Sequence, residues 1–189
     1  MRVISGSARG CKLHPVPGMT TRPTTDRVKE SVFNIIQTHI RDARVLDLFA
    51  GTGQLGIETL SRGAALCDFV DQDRKALGVI RKNIELARVG DRARVHAGTA
   101  AAFVSRCPKA AYDLILLDPP YGGKILNDTL FAINQFDILS PSGIILCESA
   151  IEDEICAPFA RGREYRYGAI KITVLHREDS TLEEERESL

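Results

Sequence analysis

Two hydrophobic rhythms alternate along this chain. Short runs that are almost wholly aliphatic read as strands buried on both faces: "ARVLDLFA" at 43–50, "LCDFVDQD" at 66–73, "ARVHAG" at 93–98, "YDLILLD" at 112–118 and "GIILCES" at 143–149. Between them, apolar residues recur three and four positions apart, the spacing of a helix that buries one face. These segments predict helices in "PTTDRVKESVFNIIQTHI" at 23–40, "TGQLGIETLSRG" at 52–63, "DRKALGVIRKNIELARVG" at 73–90, "TAAAFVSRC" at 99–107 and "NDTLFAINQFDIL" at 127–139. The first should run for about four turns with Thr24 or Thr25 as its N-cap, and Gly63 and Gly90 are placed to close the second and third. "EYRYGAIKITVLHRE" at 164–178 predicts a last pair of strands, antiparallel to each other around a turn at Tyr167-Gly168. Such alternation implies an α/β fold: a mostly parallel sheet of seven strands with helices on both faces. Residues 1–22 combine short apolar pairs with Gly and Pro and read as a small hairpin or extended arm, 23–178 as the main domain, and the acidic 179–189 as a disordered tail.

The turn after the first strand carries chemistry. "VLDLFAGTGQLGIE" spaces Gly51, Gly53 and Gly56 as G-x-G-x-x-G between a strand and a helix, which permits a tight turn, a close ligand and close helix–strand packing. Asp71 closes the next strand twenty positions after Gly51, where a carboxylate can take both hydroxyls of a ribose. On spacing alone this is a dinucleotide fingerprint, and an NAD-binding oxidoreductase or a non-catalytic nucleotide-binding module fits it. Asp47, inside the strand before the turn, pulls the other way. It suits a ligand carrying an ammonium and a sulfonium and repels a pyrophosphate.

The second feature is "LILLDPPYGG" at 114–123. Two prolines cannot continue a strand ladder, so Asp118 stands at a strand's C-terminal end, the edge at which open parallel sheets bind ligands. An exocyclic amino group on a base is a weak nucleophile because its lone pair is delocalised. The Asp118 carboxylate and the Pro119 carbonyl can hold its N–H bonds and turn the lone pair toward a methyl donor, with Pro120 fixing the backbone and Tyr121 offering a stacking face. Asp118 need not be a strong base, since the proton becomes acidic only as the new bond forms.

Composition narrows the picture further. A length of 189 residues suits one domain, and 25 basic residues balance 25 acidic ones. The charges are uneven, however: the N-terminal part is basic through Arg2, Arg9, Lys12, Arg22, Arg27 and Lys29, which hints at a phosphate-bearing partner. Cys11, Cys67, Cys107, Cys147 and Cys156 form no CxxC pair and read as reduced thiols, two of them in strand-like runs. His14, His39, His96 and His176 show no ligand spacing, so no metal is expected. With no signal-peptide h-region and no apolar run of membrane-spanning length, the expected location is the cytoplasm.

"LDLFAGTGQLGIE" followed by "LLDPPY" resembles the Rossmann-like class I S-adenosylmethionine-dependent methyltransferases that act on amino nitrogens. The opening "RVISGSARGCKL" with "TRPTTDRVKESVFNII" more narrowly resembles the bacterial ribosomal small-subunit methyltransferase D family, which methylates N2 of guanine 966 in 16S ribosomal RNA. The resemblance runs from residue 2 to about 178. It implies S-adenosylmethionine as cofactor, with Asp47, Phe49, Gly51 and Gly53 around its methionine part and Asp71 on its ribose. Asp118, Pro119, Pro120 and Tyr121 would receive the guanine, and Asp118 would also border the cofactor. Arg22, Thr24, Asp26 and Arg27 would lie at the mouth, and Arg2, Arg9, Lys12, Arg22 and Arg27 would touch RNA of the small subunit. Independently of the resemblance, a monomer is the simplest expectation. Related enzymes often carry an acid after the third strand for the adenine amino group. Here Thr99 takes that place, leaving its hydroxyl or backbone groups for the contact. DPPY is shared with enzymes that act on DNA adenine or cytosine or on protein glutamine, so another RNA, DNA adenine and a protein amide stand as alternative substrates.

Overall fold

A computed structural model describes residues 1–18, 26–120 and 122–178, Arg27 without its side chain. Its elements follow in the order α1 (Asp26–Ile35), β1 (Arg44–Leu48), α2 (Gln54–Ser61), β2 (Leu66–Asp71), α3 (Arg74–Ala87), β3 (Ala93–Ala97), α4 (Ala100–Val104), β4 (Tyr112–Leu117), α5 (Lys124–Gln135), β5 (Leu139–Ala150), β6 (Ala160–Tyr167) and β7 (Ile170–His176). The seven strands form one sheet in the order β3-β2-β1-β4-β5-β7-β6. From β3 to β5 all neighbours are parallel, while β7 runs antiparallel to both β5 and β6. The terminal hairpin turns at Gly168, whose φ of 61° is left-handed, so the turn falls where the sequence predicts it.

Strand side chains alternate between two cores, as the period of two requires. Val45, Cys67, Phe69, Leu114, Leu116, Ile144 and Leu146 face Val32, Phe33 and Ile36 of α1, Ile57 and Leu60 of α2, and Ile80 and Ile84 of α3. Leu46, Leu48, Val70, Ile115, Leu117, Ile145 and Cys147 face Val104 of α4 and Leu126, Leu130 and Ile133 of α5. Both faces are therefore covered, and each central strand is apolar on both sides.

Several element ends depart from the sequence reading. The first helix ends at Ile35 and gives way to a 3-10 turn at Gln37–His39; its candidate caps Thr24 and Thr25 fall outside the described residues. The third ends on Arg88 in the left-handed conformation, φ 55°, rather than at Gly90, which opens a separate 3-10 turn. The fifth starts three residues early, at Lys124, because Gly122 and Gly123 both take positive φ and turn the chain straight out of the prolines into the helix. Finally, β5 begins at Leu139, pairs briefly with Tyr112, and resumes with a register shift at Ile144.

The N-terminal segment is a hairpin held by an Arg2–Lys12 bridge, with Val3 N–H donating to Cys11 O at 3.0 Å. It is packed against the domain, with Val3, Leu13 and Val16 buried. Polar clamps fix it at two points. Glu58 of α2 accepts from Ile4 N–H at 2.8 Å and Ser5 N–H at 2.9 Å, and the same buried carboxylate meets the buried Lys29 at 3.5 Å and the half-buried Arg62 at 2.9 Å. Burial holds the Lys29 ammonium below its ordinary pKa, against the pull of Glu58. At the other end Asn83 of α3 accepts from His14 N–H at 2.7 Å and donates to His14 O at 3.0 Å and to Thr52 O at 2.9 Å, tying the hairpin to the glycine turn. Gly6 sits where any side chain would collide, its Cβ position lying 1.8 Å from Ser61 O. Among the described residues no helix is long and apolar enough to cross a membrane.

Candidate active site

The chain reverses its direction across the sheet between β3 and β4, which leaves a crevice over the C-terminal ends of β1 and β4. A cavity of about 690 Å³ opens there. Its floor is the turn from β1 to α2. Phe49 (φ 64°), Gly51 (φ 56°) and Gly53 (φ 76°) all take the left-handed conformation, which aims the turn's backbone at the cavity; for Phe49 this is strained. Gly56 serves packing: a Cβ there would lie 2.4 Å from the Phe69 ring and 2.7 Å from Cys67 Sγ.

Carboxylates dominate the wall. Asp47, Asp71, Asp73, Asp118, Asp128 and Glu148 line the cavity, with no Lys, Arg or His among the described lining residues. Asp47 is buried and accepts one hydrogen bond, from Gly56 N–H at 2.9 Å. Burial, then the nearby charges of Asp118 and Asp71, push its carboxyl up to about 7, with the Gly56 bond opposing them. Burial likewise raises Asp118 to about 6. Asp71 accepts from Gly51 N–H at 2.8 Å and Asp73 N–H at 2.9 Å, so it braces the turn while lining the cavity. This environment is unfavourable for a pyrophosphate and suits a ligand bearing an ammonium and a sulfonium. Despite the acids, among the described residues no group of three or more His, Cys, Asp or Glu is placed to hold a metal ion.

The sequence-selected residues Asp47, Phe49, Gly51, Asp71, Thr99, Asp118, Pro119 and Pro120 all line this one cavity, and Gly53 caps the helix that leaves its floor. Thr99 has a second duty as N-cap of α4, its hydroxyl accepting from Ala102 N–H at 3.2 Å. Tyr121, Arg22 and Thr24 fall outside the described residues, as does the Arg27 side chain. Arg9 and Lys12 are exposed on the hairpin, and Arg2, also exposed, pairs with Asp26 at 2.8 Å. The sequence reading passed over Gln72, Met1 and Glu148 of the lining. Glu148 carried the same signal as Asp118 and Asp71, an acid closing an aliphatic strand.

Known proteins are similar to this chain in sequence and in fold. The family model described as Conserved hypothetical protein 95 matches residues 1–176. The chain is 35% identical over 182 residues to Ribosomal RNA small subunit methyltransferase D of Escherichia coli (strain K12), covering 94% of this chain and 90% of that protein. It is 43% identical over 157 residues to YlbH of Bacillus subtilis (strain 168), covering 82% and 85%. The solved structure of yhhF from Escherichia coli matches it with a TM-score of 0.83 at 34% identity, over 94% of this chain and 98% of that one. The fold is thus the Rossmann-like class I methyltransferase fold, and the chain belongs to the Conserved hypothetical protein 95 family, that of the ribosomal RNA small subunit methyltransferase D proteins.

Proposed function

We propose that this protein transfers a methyl group from S-adenosylmethionine to the exocyclic N2 of guanine 966 in 16S ribosomal RNA of the small ribosomal subunit. The observation that carries the reading is the meeting of the acid-lined cavity with the Asp118-Pro119-Pro120 edge, in a chain 35% identical to a ribosomal RNA small subunit methyltransferase D.

S-adenosylmethionine supplies an electrophilic methyl carbon on a sulfonium. In this reading Asp47 and the Gly51–Gly53 turn border its methionine part, Asp71 takes the ribose hydroxyls, and Gln72 and Thr99 lie toward the adenine. Asp118 and the Pro119 carbonyl accept the two N2–H bonds of the guanine, which draws the nitrogen lone pair out of conjugation and fixes its direction. Positioning is the larger contribution. As the N–C bond forms the nitrogen becomes acidic, and Asp118 is placed to take the proton or pass it to water. The guanine must leave its stack to enter, at a cost of a few kcal/mol that is smaller in a loop. An NAD-dependent reaction is disfavoured because the dinucleotide's phosphates would face six carboxylates.

Replacing the acceptor tests this directly. Asp118→Ala is expected to lower methyl transfer by about a hundredfold or more, while S-adenosylmethionine affinity by calorimetry changes by less than about threefold. Parallel loss of both would make Asp118 a structural or cofactor-binding residue instead. NAD should give no binding heat.

A further inference from the structure

Glu148 lies outside the roles assigned so far. It is 9% exposed, although a carboxylate is costly to bury, and it lines the same cavity as Asp118. The strand register places it. Leu117 of β4 pairs with Cys147 of β5 across a strand spacing of about 4.8 Å, and Asp118 and Glu148 are the residues that follow this pair. Parity gives the direction: Leu114 and Leu116 of β4 and Ile144 and Leu146 of β5 face the α1–α3 core, Glu148 continues that face within β5, and Asp118, one residue past the end of β4, lines the same cavity.

The chemistry of the substrate edge fits a second acid here. Guanine presents two adjacent kinds of donor on its Watson–Crick edge, the N2 amino group and N1–H, whereas adenine presents a lone pair at N1. One acceptor beside the amino group cannot tell these edges apart at N1. A neighbouring carboxylate can, since it attracts N1–H and repels an N1 lone pair. Glu148 already interacts within the protein, but a carboxylate has about four acceptor sites, so such a contact leaves others for a base.

We infer that Glu148 reads the identity of the target base, accepting N1–H of the guanine whose N2 amino group Asp118 holds. The inference rests on the guanine-N2 reading above and adds a specificity residue to it. Loss of Glu148 should therefore change which base is methylated, whereas loss of Asp118 stops methylation of any base.

The test compares small-subunit particles carrying either guanine or 2-aminopurine at the target nucleotide, since 2-aminopurine keeps the 2-amino group but has a lone pair at N1. Wild-type enzyme should methylate guanine about ten- to a hundredfold faster, the range of one buried hydrogen bond to a charged group. Glu148→Gln places an amide where either edge can find a partner. It should slow guanine about tenfold or more, leave 2-aminopurine unchanged or faster, and bring the ratio close to one. S-adenosylmethionine affinity should stay within about threefold of wild type. Equal slowing of both bases, or an unchanged guanine preference, would overturn the inference and leave the methyltransferase reading intact. Wild-type enzyme that binds S-adenosylmethionine yet labels neither base would overturn the guanine reading, and this inference with it.

Discussion

At the residue scale, burial holds two of the site's acids, Asp47 and Asp118, short of full ionisation. Asp47 is raised to about 7 chiefly by burial. Between the ordinary Asp value of about 3.9 and that raised value, the folded protein keeps a proton that the unfolded chain has lost. Its contribution to stability is therefore complete below about pH 4 and is lost as pH rises through about 7. A cationic ligand needs the carboxylate and drives the proton off. S-adenosylmethionine should accordingly bind more tightly as pH rises from about 5.5 to about 8. Near pH 6.5, just below the raised Asp47 value of about 7, binding should release protons, visible as a binding enthalpy that varies with the buffer's ionisation enthalpy. Affinity flat across this range with no proton release would contradict the cationic-ligand account. Much of this site was legible in the sequence because Asp71 and Asp118 close aliphatic runs and Asp47 precedes the glycine turn. That Thr99 caps α4 while lining the cavity was not, since a helix cap and a cavity-lining hydroxyl look the same in sequence. Glu148 was readable by the same rule as Asp71 and was passed over because no motif surrounds it.

At the element scale, strands and helices declared themselves through period two and period three to four, while their ends did not. Arg88 closes α3 in the left-handed conformation, where a glycine signal two residues later drew the boundary too far. The packing of α1, α2 and the hairpin around one buried carboxylate was invisible too, because contacts 53 and 54 positions apart leave no periodicity. That carboxylate is a sharp point for testing the architecture. Glu58→Ala leaves the Lys29 ammonium buried without its carboxylate, with the Arg2 carbonyl still accepting from it, and removes the acceptor for Ile4 and Ser5 N–H. It should cost about 3–5 kcal/mol in urea unfolding, the range for breaking a buried ion pair from one side. A loss under about 1 kcal/mol, the size expected of an exposed pair, would mean that the cluster is not a buried ion pair in solution.

At the scale of the whole molecule, a neutral chain with 25 charges of each sign separates them by place: carboxylates line the cavity, while Arg9 and Lys12 stand exposed on the hairpin. The hairpin is clamped through Asn83 to the carbonyl of Thr52 in the glycine turn, so a surface meeting RNA phosphates would be rigidly registered to the cavity. Arg9→Glu with Lys12→Glu should weaken binding of 16S ribosomal RNA and reduce the slope of log affinity against log salt by about one to two. An unchanged slope would remove the hairpin from the interface.

The most direct test of the account is methyl transfer from labelled S-adenosylmethionine to small ribosomal subunits that lack this modification, with protein-free 16S ribosomal RNA alongside and the product nucleotide mapped. The account predicts N2-methylguanine at one site, guanine 966. Label at another position or on another atom, or none on either substrate from protein that binds the cofactor, would contradict it.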